Sequence, residues 1–473
     1  MYKREEPSAG EENKRTHHIR WLWPVIIAGA LFVVLVGILM PRPGKTGAGS
    51  PTANAPASRG NDAKWSATLS AEANRASAIH RHDAQTQAAE QIVANKLSQF
   101  VSHRRKILED MARHFKVEVP PQFEEFFNIA ETDDWESLTN SFEALNKLRM
   151  SQSSTEAMSR LWPVITETYG VAETAHNWPA QQLLDYGQAI LGSLGPNMVY
   201  VGGTDAGRFI PTLLNDTSEG ARHVVLTQNA LADQSYLGYM DFLYGDQLKT
   251  MSASDLQQAF SAYTQDAAKR LQHDQQFPNE PPQIRPGESI QMTDNRVQVS
   301  GRVAVMAINE GLLQTLMENN PNVSFAIEQS FAFKSMYPNT TTLGPIMELG
   351  AKDSSGTLTP ERADASVNYW ATMTPQLLSE LAGSDSPPVR QEYAKMAAEQ
   401  AALLLNRQYA SQAEADFQYA LQLDPGGPDA VLNYVNMLVS QGRKADAIPV
   451  VQNAIASAPE NQSFQSLLQR LSH

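Results

Sequence analysis

The sequence has no cysteine among its 473 residues. That excludes disulfides, thiolate zinc sites, iron–sulfur clusters and a cysteine nucleophile. It does not choose a compartment, because oxidising and reducing spaces both hold cysteine-free proteins. Positive charge is also short: 37 Lys and Arg stand against 51 Asp and Glu, a formal net charge of −14. A nucleic-acid-binding surface spread over the chain is therefore not expected, since phosphate contacts need clustered Lys and Arg. The common catalytic signatures are missing too, with no GxSxG, HExxH, GxxxxGKS/T or GxGxxG. His80, His82, His103 and His114 share a helical stretch with Arg81, Arg104 and Arg105. So much positive charge beside the imidazoles disfavours a cation, so neither a metal site nor a cofactor is expected. The acidic pairs Glu124/Glu125 and Asp133/Asp134 read as a solvated face or a helix N-terminus.

Long hydrophobic runs are scarce, with one exception. Trp21–Met40 is 20 residues without a charge, and at about 1.5 Å per residue it spans roughly 30 Å as a helix, the thickness of a bilayer core. Its Leu, Ile, Val and Phe residues together favour insertion by about 4 to 7 kcal/mol. The run is longer than a signal-peptide core, and Pro41, Pro43 and Gly44 follow it instead of a small-residue cleavage site. Lys3, Arg4, Lys14, Arg15 and Arg20 precede the span, against Arg42, Lys45 and Arg59 after it. That bias places the N-terminus in the cytoplasm and the bulk of the chain across the membrane. The expectation is a single-pass cell-membrane protein.

Hydrophobic residues make up 42% and charged residues 19%, which fits globular protein, and at about 150 residues per domain the length allows two or three units. The chain divides into a cytoplasmic tail (1–20), the transmembrane helix (21–40), a Pro-, Gly-, Ala- and Ser-rich flexible linker (41–65), a helical region (66–194), an α/β domain (195–385) and C-terminal repeats (386–473). In the helical region Val93, Leu97, Phe100, Ile107, Met111 and Phe115 recur at near-helical spacing. Pro120 and Pro121 end that helix. Two shorter ones follow, with Phe123, Phe126 and Phe127, then Trp135, Leu138, Phe142, Leu145 and Leu148. A further helix over 180–194 stops at Gly195 and Pro196.

Periodicity then changes. Met198–Gly203 and His223–Asn229 read as strands, each followed by helical potential. Val303–Asn320 reads as a helix, and Val323–Gln329 and Gly344–Gly350 as further strands. A small α/β sheet is the economical solution. Ser254 with Gln257 offers a capping box for a helix carrying Phe260, Tyr263, Ala267 and Leu271, and Phe277–Glu288 reads as a Pro-rich surface connection. The strongest internal signal lies further on, where Ala413, Phe417, Ala420 and Pro425 are matched 34 residues later by Ala447, Val451, Ala454 and Pro459. This is the tetratricopeptide (TPR) period with its small, large, small, Pro pattern. Ala397, Ala401 and Leu404 mark the first helix of one repeat, and Val431, Tyr434, Val435 and Leu438 that of the next. Two repeats with a final helix at 462–472 need a neighbour to cover them and should pack on the α/β unit. The fold class expected is α+β, mainly α.

Two candidate sites emerge. The segment GGTDAGRF (Gly202–Phe209) follows a strand and opens a helix, where Gly202 and Gly203 let the backbone approach a ligand. Thr204 belongs to the same turn. Asp205 could accept from sugar hydroxyls, while Arg208 and the helix N-terminus could hold a phosphate or carboxylate, and Gln228 and Asn229 end the next strand on the same edge. A purely structural turn fastened by an Asp–Arg pair is the other reading. In the repeats, Lys395, Asn433 and Asn436 occupy positions that could face an extended protein partner.

Several segments resemble a known family. GGTDAGRFIPTLL, HVVLTQNALADQSYLGYM, QFPNEPPQIRPGE, VQVSGRVAVMAINEGLL and SMYPNTTTLGPIMEL, with DDWESLTNSFEAL and LWPVITETYG upstream, resemble the extracytoplasmic C-terminal region of bacterial multi-pass proteins similar to protein O-mannosyltransferases, over roughly residues 120–350. Such relatives often carry TPR repeats. The resemblance implies glycosyl transfer in a many-helix membrane module that this sequence, with one span, lacks. What carries over is a fold and the GGTDAGRF candidate site. The reading is thus a membrane-anchored extracytoplasmic scaffold or accessory protein that docks partners through its TPR repeats and meets a sugar-containing ligand at the α/β edge. The alternative is an enzyme processing glycans or lipid-linked sugars, or a non-catalytic subunit of a membrane glycosyltransferase.

Overall fold

The computed structural model describes residues 62–132, 134–151, 154–293, 296–329, 333–349, 358–382 and 387–472. The expected span Trp21–Met40, with the tail before it, lies outside these residues, as do the side chains of His80 and His82. Among the described residues no helix is long and apolar enough to cross a membrane. The chain divides into two units, Met1–Ile92 and Val93–His473. In the first, the described residues are helical from Asp62 onward, so the last residues of the expected linker are already helix. The second holds the rest.

From Val93 on, within the second unit, α1 (Asp62–Phe115) buries Val93, Phe100, Val101, Ile107, Leu108 and Met111 along one stripe, the face its spacing predicts. It ends where Lys116 adopts φ 55°, a left-handed exit. Pro121 then opens α2 (Pro121–Ala130) at its first turn, where the missing N–H costs nothing. Phe123, Phe126 and Phe127 are fully buried there. Asp134 caps α3 (Trp135–Met150) by accepting from the Ser137 N–H.

The next helix, α4 (Glu156–Asn177), is capped by Thr155 and pairs with α3. Its rings interleave with those of α3. Along α4, Trp162, Tyr169 and His176 stand seven residues apart, as do Trp135, Phe142 and Arg149 along α3. Seven residues are about two turns, roughly 10.5 Å, which leaves room for one planar group of the partner helix between two of its own. Phe142 sits 5.7 Å from Trp162 and 3.9 Å from Tyr169; Trp135 sits 5.6 Å from Tyr169 and 4.7 Å from His176. Arg149 covers Trp162 at 5.0 Å. Each such pair adds about 0.5 to 1.5 kcal/mol beyond the area it buries.

After α5 (Ala180–Leu191) the chain enters a five-stranded sheet of order β2-β1-β5-β7-β6. Its strands are β1 (Val199–Gly202), β2 (Val225–Thr227), β5 (Phe325–Ile327), β6 (Thr340–Leu343) and β7 (Ile346–Leu349). β1 runs parallel to β2 and β5, and β7 is antiparallel to β5 and β6. The sheet is therefore mixed. Both faces are covered, as apolar strands require. Val199, Val201, Phe325 and Ile327 join a core with α4, α7 (Gln234–Tyr244) and α9 (Arg302–Asn319), while Tyr200, Ala326 and Ile346 join another with α5, α6 (Asp205–Asp216) and the C-terminal helices. α8 (Ala253–Gln276) carries its capping box on Ser252 and Asp255, two residues before the expected Ser254 and Gln257. Ser252 wins because the Asp255 carboxylate reaches back to its N–H at 2.8 Å. A hairpin, β3 (Ser289–Thr293) and β4 (Arg296–Ser300), follows the Pro-rich connection.

Six helices close the chain: α10 (Pro360–Glu380), α11 (Pro387–Asn406), α12 (Ala410–Leu423), α13 (Pro428–Ser440), α14 (Lys444–Ser457) and α15 (Gln462–Ser472). Ala413, Phe417, Ala420, Ala447, Val451 and Ala454 are each fully buried, so the small residues sit where paired helices touch. The repeats pack on the sheet through α11, whose Gln400 amide donates to the Gly344 and Ile346 carbonyls.

Candidate functional site

The β1–α6 turn lies at the C-terminal edge of the parallel strands. The chain leaves β1 toward β2 and leaves β5 toward the other side of the sheet, so β1 and β5 flank the switch point at which such sheets bind ligands. Thr204 caps α6 by accepting from the Gly207 N–H at 2.8 Å. The free N–H groups of this turn face an anion, and the anion is the protein's own. Glu328, the residue after β5, places its carboxylate on the turn: Gly203 N–H and Thr204 N–H donate to Oε2 at 3.0 and 3.1 Å, and the Thr204 hydroxyl donates to Oε1 at 2.7 Å. The Tyr186 hydroxyl adds a bond to Oε1 at 2.8 Å. Glu328 is 1% exposed. Four donors and a helix N-terminus compensate the burial of its charge.

The glycines of the motif serve this packing. None of Gly202, Gly203 and Gly207 has a positive φ, but each allows a close approach. A Cβ on Gly207 would lie 1.7 Å from Glu328 Oε2; one on Gly202 would meet the Gly207 carbonyl at 2.6 Å, and one on Gly203 would meet Gln228 Oε1 at 2.6 Å. The Tyr200 hydroxyl donates to the Gly207 carbonyl at 2.6 Å, which clamps the first turn of α6 to β1.

The remaining candidates divide by exposure. Asp205 and Arg208 pair with each other at 2.7 Å on the surface, with side chains 58% and 26% exposed, and Arg208 also lies over the Phe209 ring at 4.2 Å. Beside them, burial lifts the Glu173 carboxyl above its ordinary range and the Asp205 charge adds to the rise. Asn229 is exposed. Gln228 is buried beside Gly203, and its amide makes no hydrogen bond. The motif thus brings Gly203, Thr204 and Gln228 together at the turn, leaves Asp205 and Asn229 exposed, and holds Arg208 half-buried with its Nε lacking a hydrogen-bond partner.

Lys395 stands at the same edge. Its ammonium donates to Glu392 at 2.7 Å on α11. Burial lifts the Glu392 carboxyl above its ordinary range against the pull of Lys395, with Glu328 adding to the rise. Burial alone would lower Lys395, and Glu392 outweighs it to leave the ammonium above its usual value. Lys395, its side chain 41% exposed, is therefore held by an ion pair within its own helix, α11. Asn433 is half-buried and Asn436 exposed, both on α13. Sequence reasoning missed Glu328, Tyr186 and Glu392. One signal was available for the first: an acidic residue directly after a buried strand, in Phe-Ala-Ile-Glu-Gln.

Two basic side chains of α1, Arg104 and His103, are also occupied. Arg104 is 2% exposed and bonds Glu167 at 2.6 Å and Asp216 at 3.3 Å, and His103 bonds Asp216 at 2.7 Å. Among the described residues no group of three His, Asp or Glu side chains is placed to hold a metal ion.

The tetratricopeptide repeat family matches residues 404–471, from the end of α11 through α15. No curated protein and no solved structure matches the chain. The resemblance to protein O-mannosyltransferase-like proteins gains no support from these comparisons. The C-terminal region is a TPR-type array, a fold that serves protein–protein interaction.

Proposed function

We propose that the protein is a membrane-anchored scaffold or accessory protein that docks a protein partner on its C-terminal repeats, with the bulk of the chain outside the cytoplasm. The observation that carries the docking role is the repeat match over residues 404–471. The anchor rests on the uncharged run Trp21–Met40 and the Lys/Arg bias before it. A sugar-binding or glycan-processing role is the weaker reading, because the backbone donors that a phosphate or carboxylate ligand would use are engaged by Glu328. Lys395 is half-exposed and paired with Glu392 on its own helix, and Asn433 and Asn436 on α13 are the residues to test.

The test compares the full chain with its Asn433→Ala, Asn436→Ala double variant, recovering cross-linked partners from membranes. A partner lost from the variant, with thermal stability changed by less than about 0.5 kcal/mol, supports the reading. Equal recovery would move docking to the helical region of residues 66–150. Protease added to intact spheroplasts tests the orientation, and full protection of the large domain would reverse it.

A further inference from the structure

The seam between the repeats and the sheet is closed by a chain of buried polar groups. Gln400 of α11 donates its Nε2–H groups to the carbonyls of Gly344 at 2.7 Å and Ile346 at 2.9 Å, at the turn joining β6 to β7. That leaves Gln400 Oε1 as an acceptor, and the Trp370 Nε1–H of α10 donates to it at 3.1 Å. Ser366 Oγ, also on α10, lies 2.5 Å from the same Oε1 and 2.7 Å from Asp416 Oδ2 of α12. Trp370, Gln400 and Asp416 are fully buried and Ser366 nearly so.

A hydroxyl carries one hydrogen, so Ser366 can donate across one of its two short contacts. With Asp416 ionised, the other contact would set two lone pairs face to face without a hydrogen between them, in a dry core. Asp416 Oδ1, moreover, has no partner at all, a costly state for a buried carboxylate. A hydrogen on Asp416 Oδ2 removes the first difficulty and, by neutralising the carboxylate, lessens the second. Asp416 then donates to Ser366 Oγ, Ser366 donates to Gln400 Oε1, and every short oxygen–oxygen contact contains a hydrogen.

We propose that a protonated Asp416 is the latch that seats the repeats on the sheet, and that losing its proton loosens this seam. The charged groups on the elements packed around it are engaged elsewhere. Arg362 of α10 pairs with Glu348 of β7 at 3.3 Å, Asp364 of α10 accepts from Gln412 of α12 at 3.0 Å, and Glu414 of α12 pairs with Arg443 at 2.7 Å. Glu399 of α11 accepts from Tyr337 at 3.4 Å, and Arg407 donates to the Tyr337 and Pro338 carbonyls. What remains is burial, which drives the Asp416 carboxyl up to about 7 against the pull of the Ser366 hydrogen bond. An unfolded aspartate titrates near 3.9, so the native seam keeps its proton at a pH where the open one has lost it. The contribution of Asp416 to stability is therefore fully present below the ordinary aspartate range. It is lost as pH rises to about 7 and is flat above that.

The experiment is hydrogen exchange of α10, α11 and α12 in the full detergent-solubilised chain across mildly acid to mildly alkaline pH, corrected for the intrinsic rate. The wild-type opening constant of these helices should rise by close to tenfold per pH unit up to about pH 7 and then level off. Asp416→Asn, which keeps the shape and donates permanently from Nδ2, should abolish the rise and match or exceed wild-type protection at alkaline pH. A pH-independent opening constant in the wild type, or the same rise in the Asn variant, overturns the proposal. If the variant does not fold, the wild-type profile still decides: a rise confined to the three seam helices supports the latch, and a flat or chain-wide rise sinks it.

Discussion

The C-terminal repeats and the β1–α6 edge hold together by opposite means. In the repeats, order comes from short-range apolar contacts made twice: Ala413, Phe417 and Ala420, then Ala447, Val451 and Ala454, all fully buried. At the edge, order comes from one carboxylate brought 125 residues along the chain to the Gly203 N–H. The repeats can therefore lose one contact and keep their pattern, since stability is spread over similar interfaces. The edge has no such redundancy, because removing Glu328 strands four donors at once. Apolar burial is non-directional and tolerates repacking; a buried charge does not.

Substitutions can break or sharpen this contrast. The largest effect is expected from Gly207→Ala, whose Cβ would occupy the place of Glu328 Oε2, and from Glu328→Ala. Displacing or deleting that buried carboxylate should cost about 3 to 5 kcal/mol, read by denaturant unfolding. A loss under about 1 kcal/mol in both variants would show that the edge does not depend on its internal anion. Next come Ala413→Leu and Ala447→Leu, equivalent positions of the two repeats. Each should overpack its helix pair by about 1 to 3 kcal/mol, and the two costs should agree to within about 0.5 kcal/mol if the repeats are energetically alike. A clear inequality would show that the contacts of the first repeat with α10 and the sheet make it a different unit. The smallest effect belongs to Asp205→Ala, which removes an exposed ion pair and should change thermal stability by about 0 to 1 kcal/mol. A larger loss there would make the Asp–Arg pair a structural fastener of the turn after all.

Several elements were legible because their causes are local. The stripe on α1, the Phe-rich α2, the strand–turn–helix at Gly202–Phe209 and the repeat period all arise from residues within a few turns of one another. Helix α4 was overlooked although its Trp162, Tyr169 and His176 mirror Trp135 and Phe142 at the same seven-residue step; the pairing becomes meaningful only when both helices are seen side by side. Strand β6, of sequence Thr-Thr-Thr-Leu, escaped notice because its burial comes from α10 and α11 and not from its own hydrophobicity. In the candidate site the turn and its glycines were readable, but the reason for the glycines was not. They make room for Glu328, and no local pattern announces a partner so distant in the chain.

The sequence by itself determined the repeat region, the βα turn and the apolar faces of the helices, because periodic side-chain chemistry dictates which surface a regular backbone must bury. Only the tertiary structure decided what fills the turn, where Lys395 is spent and which carboxylic acid is sealed in the core. Glu328, Glu392 and Asp416 look like ordinary acidic residues in the chain. Their surroundings are assembled from β1, β5, α5, α10, α11 and α12, and the balance of desolvation against hydrogen bonds that sets their roles exists only once those elements have met.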